Sequence, residues 1–291
     1  MGKKSFLLLA LAALIGLMLL AIGFGSVDIS FATIITAMKN LIRNGVDGID
    51  LTDPIHFIIF EVRLPRIILA VLTGGLLSMA GASYQAIFQN PMADPFVMGV
   101  SSGAAFGATM AIVFLPATSF LGHTLVSLSA FICAILISLI VYTVSRTKRG
   151  VDNYSVLLTG IVISAILSSA ISLIMMVHRD EAMAIITWTM GSFNAKSWIH
   201  VGTIFIPTLI AFIVTIYHGK DLNLLVMGEE EAISMGLDVK KLKRNLLLLS
   251  ALLTSLAVSV SGIIGFVGLI VPHFIRLIFG GDHKFLMPAS M

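Results

Sequence analysis

Long apolar runs separated by short polar joints dominate this chain. A helix needs about 20 apolar residues to cross a bilayer, fewer where it is buried in protein. Such runs fall near 5–26, 64–88, 93–115, 120–145, 154–177, 198–217, 245–264 and 266–280. In lipid, only a helix satisfies every backbone donor and acceptor within one segment, so the pattern predicts an all-α polytopic bundle of about eight spans. The first run follows Lys3 and Lys4 as a signal peptide would. It is longer than a signal h-region and lacks a clear A-x-A site, so it reads as a span. Gly262, Ile263, Ile264 and Gly265 alone separate the last two runs, which predicts a tight turn and a short final span. After the first run, FATIITAMKNLIRN (Phe31–Asn44) has helical apolar spacing and is predicted to lie along the membrane interface.

One stretch breaks the pattern. Between Gly228 and Arg244 the sequence reads GEEEAISMGLDVKKLKR. Glu229, Glu230 and Glu231 sit where a short helix begins, and Gly236 where it ends. Asp238 can cap a second one, followed by Lys240, Lys241, Lys243 and Arg244. Acids first and bases last complement the helix dipole, so two short helices hinged at Gly236 are predicted. Two readings fit: a structured surface for a partner, or a solvated loop whose lysines fix topology.

Composition sets the class. Hydrophobic residues make up 58% and charged residues 11%, with a mean hydropathy of +1.05, outside the range of soluble domains. The net charge of +3 comes with no basic cluster interleaved with aromatics, so nucleic-acid binding is not indicated. The single Cys133 lies in an apolar run and can form neither an internal disulfide nor a CxxC metal site. With the N-terminus inside, twelve of the 18 Lys and Arg fall on the cytoplasmic side: Lys3, Lys4, Arg146, Lys148, Arg149, Lys220, Lys240, Lys241, Lys243, Arg244, Arg276 and Lys284. The other six, Lys39, Arg43, Arg63, Arg66, Arg179 and Lys196, fall outside. The bias places 228–244 in the cytoplasm.

Coupled transporters place ionisable groups near the bilayer midplane. Here Asp94 and Asp152 fall at cytoplasmic span ends and Glu61 and Asp180 at outer ends, which argues against an ion-coupled secondary transporter. There is no GxxxxGK[ST], so energy for uphill movement must come from a partner. An intramembrane enzyme needs convergent polar groups at one depth, whereas His123, His200 and His273 lie in separate spans without a nearby acid. Small residues prevail instead. Gly99, Gly103 and Gly107 line one helix face, Ser164, Ser168 and Ser172 repeat that spacing, and Gly262, Gly265 and Gly268 recur at three. Close helix packing explains most of them, while a minority line a pathway in the alternative reading.

Two polar constellations mark span ends. Arg63-Leu64-Pro65-Arg66 opens the second span, either as interfacial anchors or as bidentate receivers of a partner's carboxylates. Pro272, His273 and Arg276 occupy the eighth, with His273 and Arg276 one turn apart on one face. A packed, hydrogen-bonded His273 is favoured over a lone metal ligand.

In this order these segments resemble the FecCD family of ABC-importer permeases. RLPR (63–66) precedes GGLLSMAGASYQAIFQNPMADPFVMGVSSGA (74–104), in which Gln85, Asn90, Pro91, Ala93, Pro95, Gly99, Gly103 and Ala104 fill the family signature. LLTGI (157–161), the WxxGS of Trp188, Gly191 and Ser192, LNLLVMGEEEAISMGL (222–237) and GFVGLIVPHFIRLIFGGDHKFLMP (265–288) also fit. The resemblance covers nearly the whole chain.

It implies one permease domain over 1–291, with 228–244 as coupling helices that dock on a cytoplasmic ATPase. Glu231, Ala232 and Gly236 then form the E-A-x-x-x-G core, with Glu229, Glu230 and Leu237 around it. Arg63 and Arg66 would meet glutamates of an extracytoplasmic substrate-binding lipoprotein. Gln85, Asn90, Pro91, Pro95, Gly99, Gly103, Pro272, His273 and Arg276 would serve the translocation and packing motifs. A second permease, identical or homologous, and two ATPase subunits complete the expected assembly in a bacterial plasma membrane. ATP is used by the ATPase partner, and this chain is expected to bind no cofactor or metal and to catalyse nothing. Iron(III)-siderophore is the expected cargo, with haem or cobalamin as alternatives. The family's ten spans would place two more beyond Met291, so a fragment or a truncated gene is expected.

Overall fold

Each apolar run folds as a helix whose ends are fixed by local chemistry. The computed structural model describes residues 2–115, 120–147 and 150–291, without the side chains of residues 4, 46, 47, 120–123 and 150. Lys4, Lys148, Arg149 and the His123 ring thus lie outside the described residues.

The elements run α1 (Lys3–Gly23), α2 (Phe31–Asn44), α3 (Pro54–Phe57), α4 (Leu64–Ile87), α5 (Val100–Phe114) and α6 (Phe120–Val144). The strands β1 (Arg146–Thr147) and β2 (Gly150–Val151) pair antiparallel, with Arg146 opposite Val151. There follow α7 (Asn153–Val177), α8 (Ala182–Thr189), α9 (Trp198–Tyr217), α10 (Gly219–Met227), α11 (Glu229–Ser234), α12 (Val239–Ser261), α13 (Val267–Phe279) and α14 (His283–Ser290). Helices α1, α4, α5, α6, α7, α9, α12 and α13 coincide with the eight predicted runs. Among the described residues, α1, α6, α7, α9 and α12 are long and apolar enough to cross a membrane. α5 and α13 are apolar but shorter, and α4 extends over 24 residues.

Two boundaries differ from expectation. α5 begins at Val100 rather than 93, because Asn90 accepts the Met92 amide (2.9 Å), Asp94 accepts the Phe96 amide (2.8 Å), and the chain turns until Gly99 at φ +69°. α12 begins at Val239, where Asp238 accepts the Lys241 amide (3.0 Å), and runs unbroken to Ser261. The second short helix expected after Gly236 is therefore the first turns of a membrane-length helix. The same capping logic starts α2 at Ser30, α7 at Asp152 and α14 at Asp282. Each such cap is worth about 1 kcal/mol.

The chain divides into two compact units, residues 1–72 with 193–205 and residues 73–192 with 206–291. In the first, Ile22, Ile29, Ile34, Ala37, Ile59 and Phe60 form the core. The predicted amphipathic helix α2 buries Ile34 and Ala37 there. Residues Ile58–Arg63 form a π-helical turn leading into α4, in which the Leu64 amide bonds back to Ile59. Continuing that pattern, Phe60 would receive the amide of residue 65, but Pro65 has none. The Trp198 indole N–H donates to the Phe60 carbonyl instead, at 2.9 Å.

In the second unit, helices approach through glycine. A Cβ on Gly107 would overlap the Ser129 carbonyl, and one on Gly103 would crowd Cys133 and Ile137, so this face of α5 lies hard against α6. Gly160 of α7 fits under the Val97 carbonyl in the same way. The WxxGS motif packs on the turn after α12: Ser192 N–H donates to Ser261 at 2.7 Å, and Gly191 and Gly262 leave room for the backbones of Ile263 and Trp188. Outward-facing Leu158, Ile161, Ile166, Leu173 and Met176 leave α7 apolar where it is exposed, as a lipid-facing helix is.

Candidate functional site

Charge concentrates where α10, α11 and α12 meet. Gly228, at φ +139°, turns the chain from α10 into α11, and Gly236, at φ +86°, turns it out again. Both conformations are cheap only for glycine. The Gly236 and Leu237 amides close the helix on the carbonyls of Ile233 (2.9 Å) and Ala232 (3.0 Å). Ala232 is fully buried, whereas Glu230 and Glu231 are exposed. This short helix is an exposed acidic knob with one small buried anchor.

Lys243 holds the knob. It is 4% exposed, and its ammonium donates to Asn153 at 3.0 Å and pairs with the Glu229 carboxylate. Asn153 in turn donates to the Ile87 carbonyl at 3.5 Å. One lysine thus links α11 to the first residue of α7 and, through Asn153, to the last of α4. Gln89 adds a second tie, donating to the Leu225 carbonyl of α10 at 2.8 Å. The lysine count placed Lys243 on the cytoplasmic side without saying whether it is buried. Its burial was nevertheless legible, because it shares a helix face with buried Val239, Leu242, Leu246 and Leu247. Asn153 and Gln89 carried no such signal.

Behind this segment α4 crosses α13. Pro272 cannot donate to the Gly268 carbonyl, and a Cβ on Gly81 would overlap that carbonyl. A Cβ on Gly268 would in turn overlap both Pro95 and the Leu77 carbonyl of α4. Gln85 donates to the Leu269 carbonyl (3.1 Å) and accepts from the Arg276 guanidinium (2.9 Å), pinning the crossing with both ends of its amide. The Asn90 amide returns to the Gln85 carbonyl (3.1 Å), which leads into the Asn90-Pro91 turn. The structure therefore brings Gln85, Pro95, Pro272 and Arg276 together. Gly99 and Gly103 serve the α5–α6 packing, and His273 leaves Nδ1 buried without a partner.

Beyond α13, Asn223 of α10 accepts the His283 amide (2.7 Å), lies 3.0 Å from His283 Nδ1 and donates to Asp282 at 2.8 Å. Asn223 Oδ1 can only accept, so Nδ1 carries the proton. Burial first, then the nearby Arg276 charge, pushes the His283 pKa down to about 4, with Asp282 opposing. This clamp was missed, although G-G-D-H is a readable helix start.

The two outer arginines sit in different surroundings. Arg63 is 8% exposed, and its guanidinium donates to the carbonyls of Ile22, Gly23 (3.1 Å) and Val27 at the end of α1. Its guanidinium thus closes the fold of its own chain through three carbonyls. Arg66 is half-buried, with Nε unpaired.

Over residues 12–291 the sequence matches the FecCD transport family. The chain belongs to that family. A FecCD relative, the hemin transport system permease HmuU of Yersinia pestis, is 37% identical over 95% of this chain and 80% of its own. The cobalamin import system permease BtuC of Halobacterium salinarum is 37% identical over 80% of this chain and 62% of its own. Among solved structures, an inward-facing metal-chelate type ABC transporter superposes with TM-score 0.82 and 29% identity, covering 99% of this chain and 85% of that one. The FecCD chain described here is thus a multi-pass membrane permease of an ABC importer, and it works with an ATPase and a substrate-binding protein.

Proposed function

We propose that this permease carries iron(III)-siderophore chelates and that α11 with the first turns of α12 is its coupling element, seated on the ATPase at the cytoplasmic face. In this reading the N-terminus is also cytoplasmic, and two permeases, identical or homologous, line the path between them. The ATPase binds and hydrolyses ATP, and this chain contributes no cofactor. Glu229, Glu230 and Glu231 set orientation, while Ala232, Gly236 and Leu237 shape the knob that enters the ATPase. Arg66 remains the arginine for the binding protein.

The observation that carries the reading is the Lys243 junction, which joins the exposed knob to the ends of α4 and α7. A push on α11 is delivered to two long helices rather than absorbed in a loop. The test uses the complete importer in vesicles. Charge reversal of Glu229–Glu231 combined with Ala232→Pro is expected to abolish ATPase co-purification and lower uptake at least about tenfold. Unchanged assembly and uptake would sink the assignment. Cargo is read by competition among ferric hydroxamate, ferric catecholate, hemin and cobalamin in the same vesicles. Hemin or cobalamin winning would replace the siderophore.

A further inference from the structure

A pocket of about 410 Å³ opens between the end of α6, the β1–β2 hairpin and the start of α12. Arg146, Lys240, Lys241 and Arg244 line it together with Tyr142. Asp238 also lines it, but its carboxylate caps α12. Among the described residues, the ion pairs are His218–Asp221 and Lys243–Glu229, so neither compensates these four cations. Like charges around one cavity repel, and leaving them together favours an anion in their midst.

Position narrows the anion. α6 and α12 are both membrane-length helices, and they pack against each other. The pocket lies at their ends, where lipid headgroups sit. Leu139, one turn before Tyr142, is exposed, as are Ile140 and Val144. An apolar strip therefore leads along α6 toward the cations. Tyrosine is also suited to that boundary, being apolar in body and polar at its tip.

We propose that this pocket binds a phosphate group, supplied by an anionic phospholipid whose acyl chains lie along α6. Four cations face the single Asp238 carboxylate, and the phosphodiester adds the negative charge that one acid leaves short. The site shares the first turns of α12 with the coupling element proposed above, but its test does not rest on that reading, since binding is measured without an ATPase.

The test places the purified full-length chain in nanodiscs of phosphatidylcholine with a small fraction of phosphatidylglycerol and measures phosphatidylglycerol enrichment around the protein. Lys240→Gln with Arg244→Gln is expected to weaken that enrichment roughly 30-fold, at about 1 kcal/mol per basic group. Lys39→Gln with Arg43→Gln removes the same charge elsewhere and is expected to leave it intact. A second arm adds inorganic pyrophosphate to the protein in pure phosphatidylcholine and follows its melting temperature. Stabilisation there, lost in the pocket variant, would replace the lipid with a soluble phosphate and overturn the lipid assignment. Equal enrichment in both variants would overturn the site itself, and circular dichroism of each variant confirms that the fold is retained.

Discussion

The α4–α13 crossing and the α11–α12 junction lie in the same compact unit, yet they are held by opposite means. At the crossing, backbone meets backbone: Gly81 lies on the Gly268 carbonyl that Pro272 leaves without a helical donor. At the junction, one buried ammonium bridges an exposed carboxylate and an asparagine. Glycine contacts allow no slack, since any added atom collides. Side-chain ties stretch and re-form. The difference separates a fixed pivot from a part that can be moved.

The hardest break falls on the pivot. Gly81→Leu forces a side chain into the Gly268 carbonyl, and a loss of more than about 3 kcal/mol is expected, read as failure to recover monodisperse protein in detergent. Lys243→Met at the junction is expected to cost about 2–3 kcal/mol, because Glu229 is left facing an apolar group but is half-exposed and so partly rescued by water. Glu229→Gln should cost about 1 kcal/mol, and a double-mutant cycle between the two isolates the pair.

A pH titration probes the clamp next to the pivot. His283 is buried neutral, with its pKa lowered from 6.5 to about 4. Its contribution is complete above pH 6.5 and is lost as pH falls toward 4. At pH 5 the chain should be about 2 kcal/mol less stable than at neutrality on this account. His283→Asn should flatten the melting temperature over that interval. The smallest effect sharpens the hinge: Gly236→Ala meets no neighbour but must adopt φ +86°, for about 1 kcal/mol in thermal unfolding.

What the sequence disclosed follows the range of the forces involved. Apolar runs, the α2 stripe and the Asp238 cap are local patterns and were legible, down to the limits Phe31 and Asn44. The start of α12 was misplaced because its first turns are charged, and hydropathy does not see a helix that continues into water. The Arg63 contacts were not legible because the carbonyls it serves lie about forty residues earlier, at the end of α1. Gly81 and Gly268 stand far apart along the chain, and only the folded crossing shows why each must be glycine. The charged knob itself was readable, but its fastening through Asn153 was not, since an asparagine beside a capping aspartate looks like ordinary helix-start chemistry.

The tryptophan that completes the π-helical turn gives the molecule a built-in optical gauge. The chain has two tryptophans, and each compact unit contains one, Trp198 in the first and Trp188 in the second. The Trp198 emission depends on an indole bonded to the Phe60 carbonyl. With Trp188 replaced by phenylalanine, the remaining fluorescence colour reports the first unit alone. Replacing Trp198 instead leaves a lamp for the second. Two single-tryptophan proteins would therefore show, by spectral shift during melting, which half of the permease yields first.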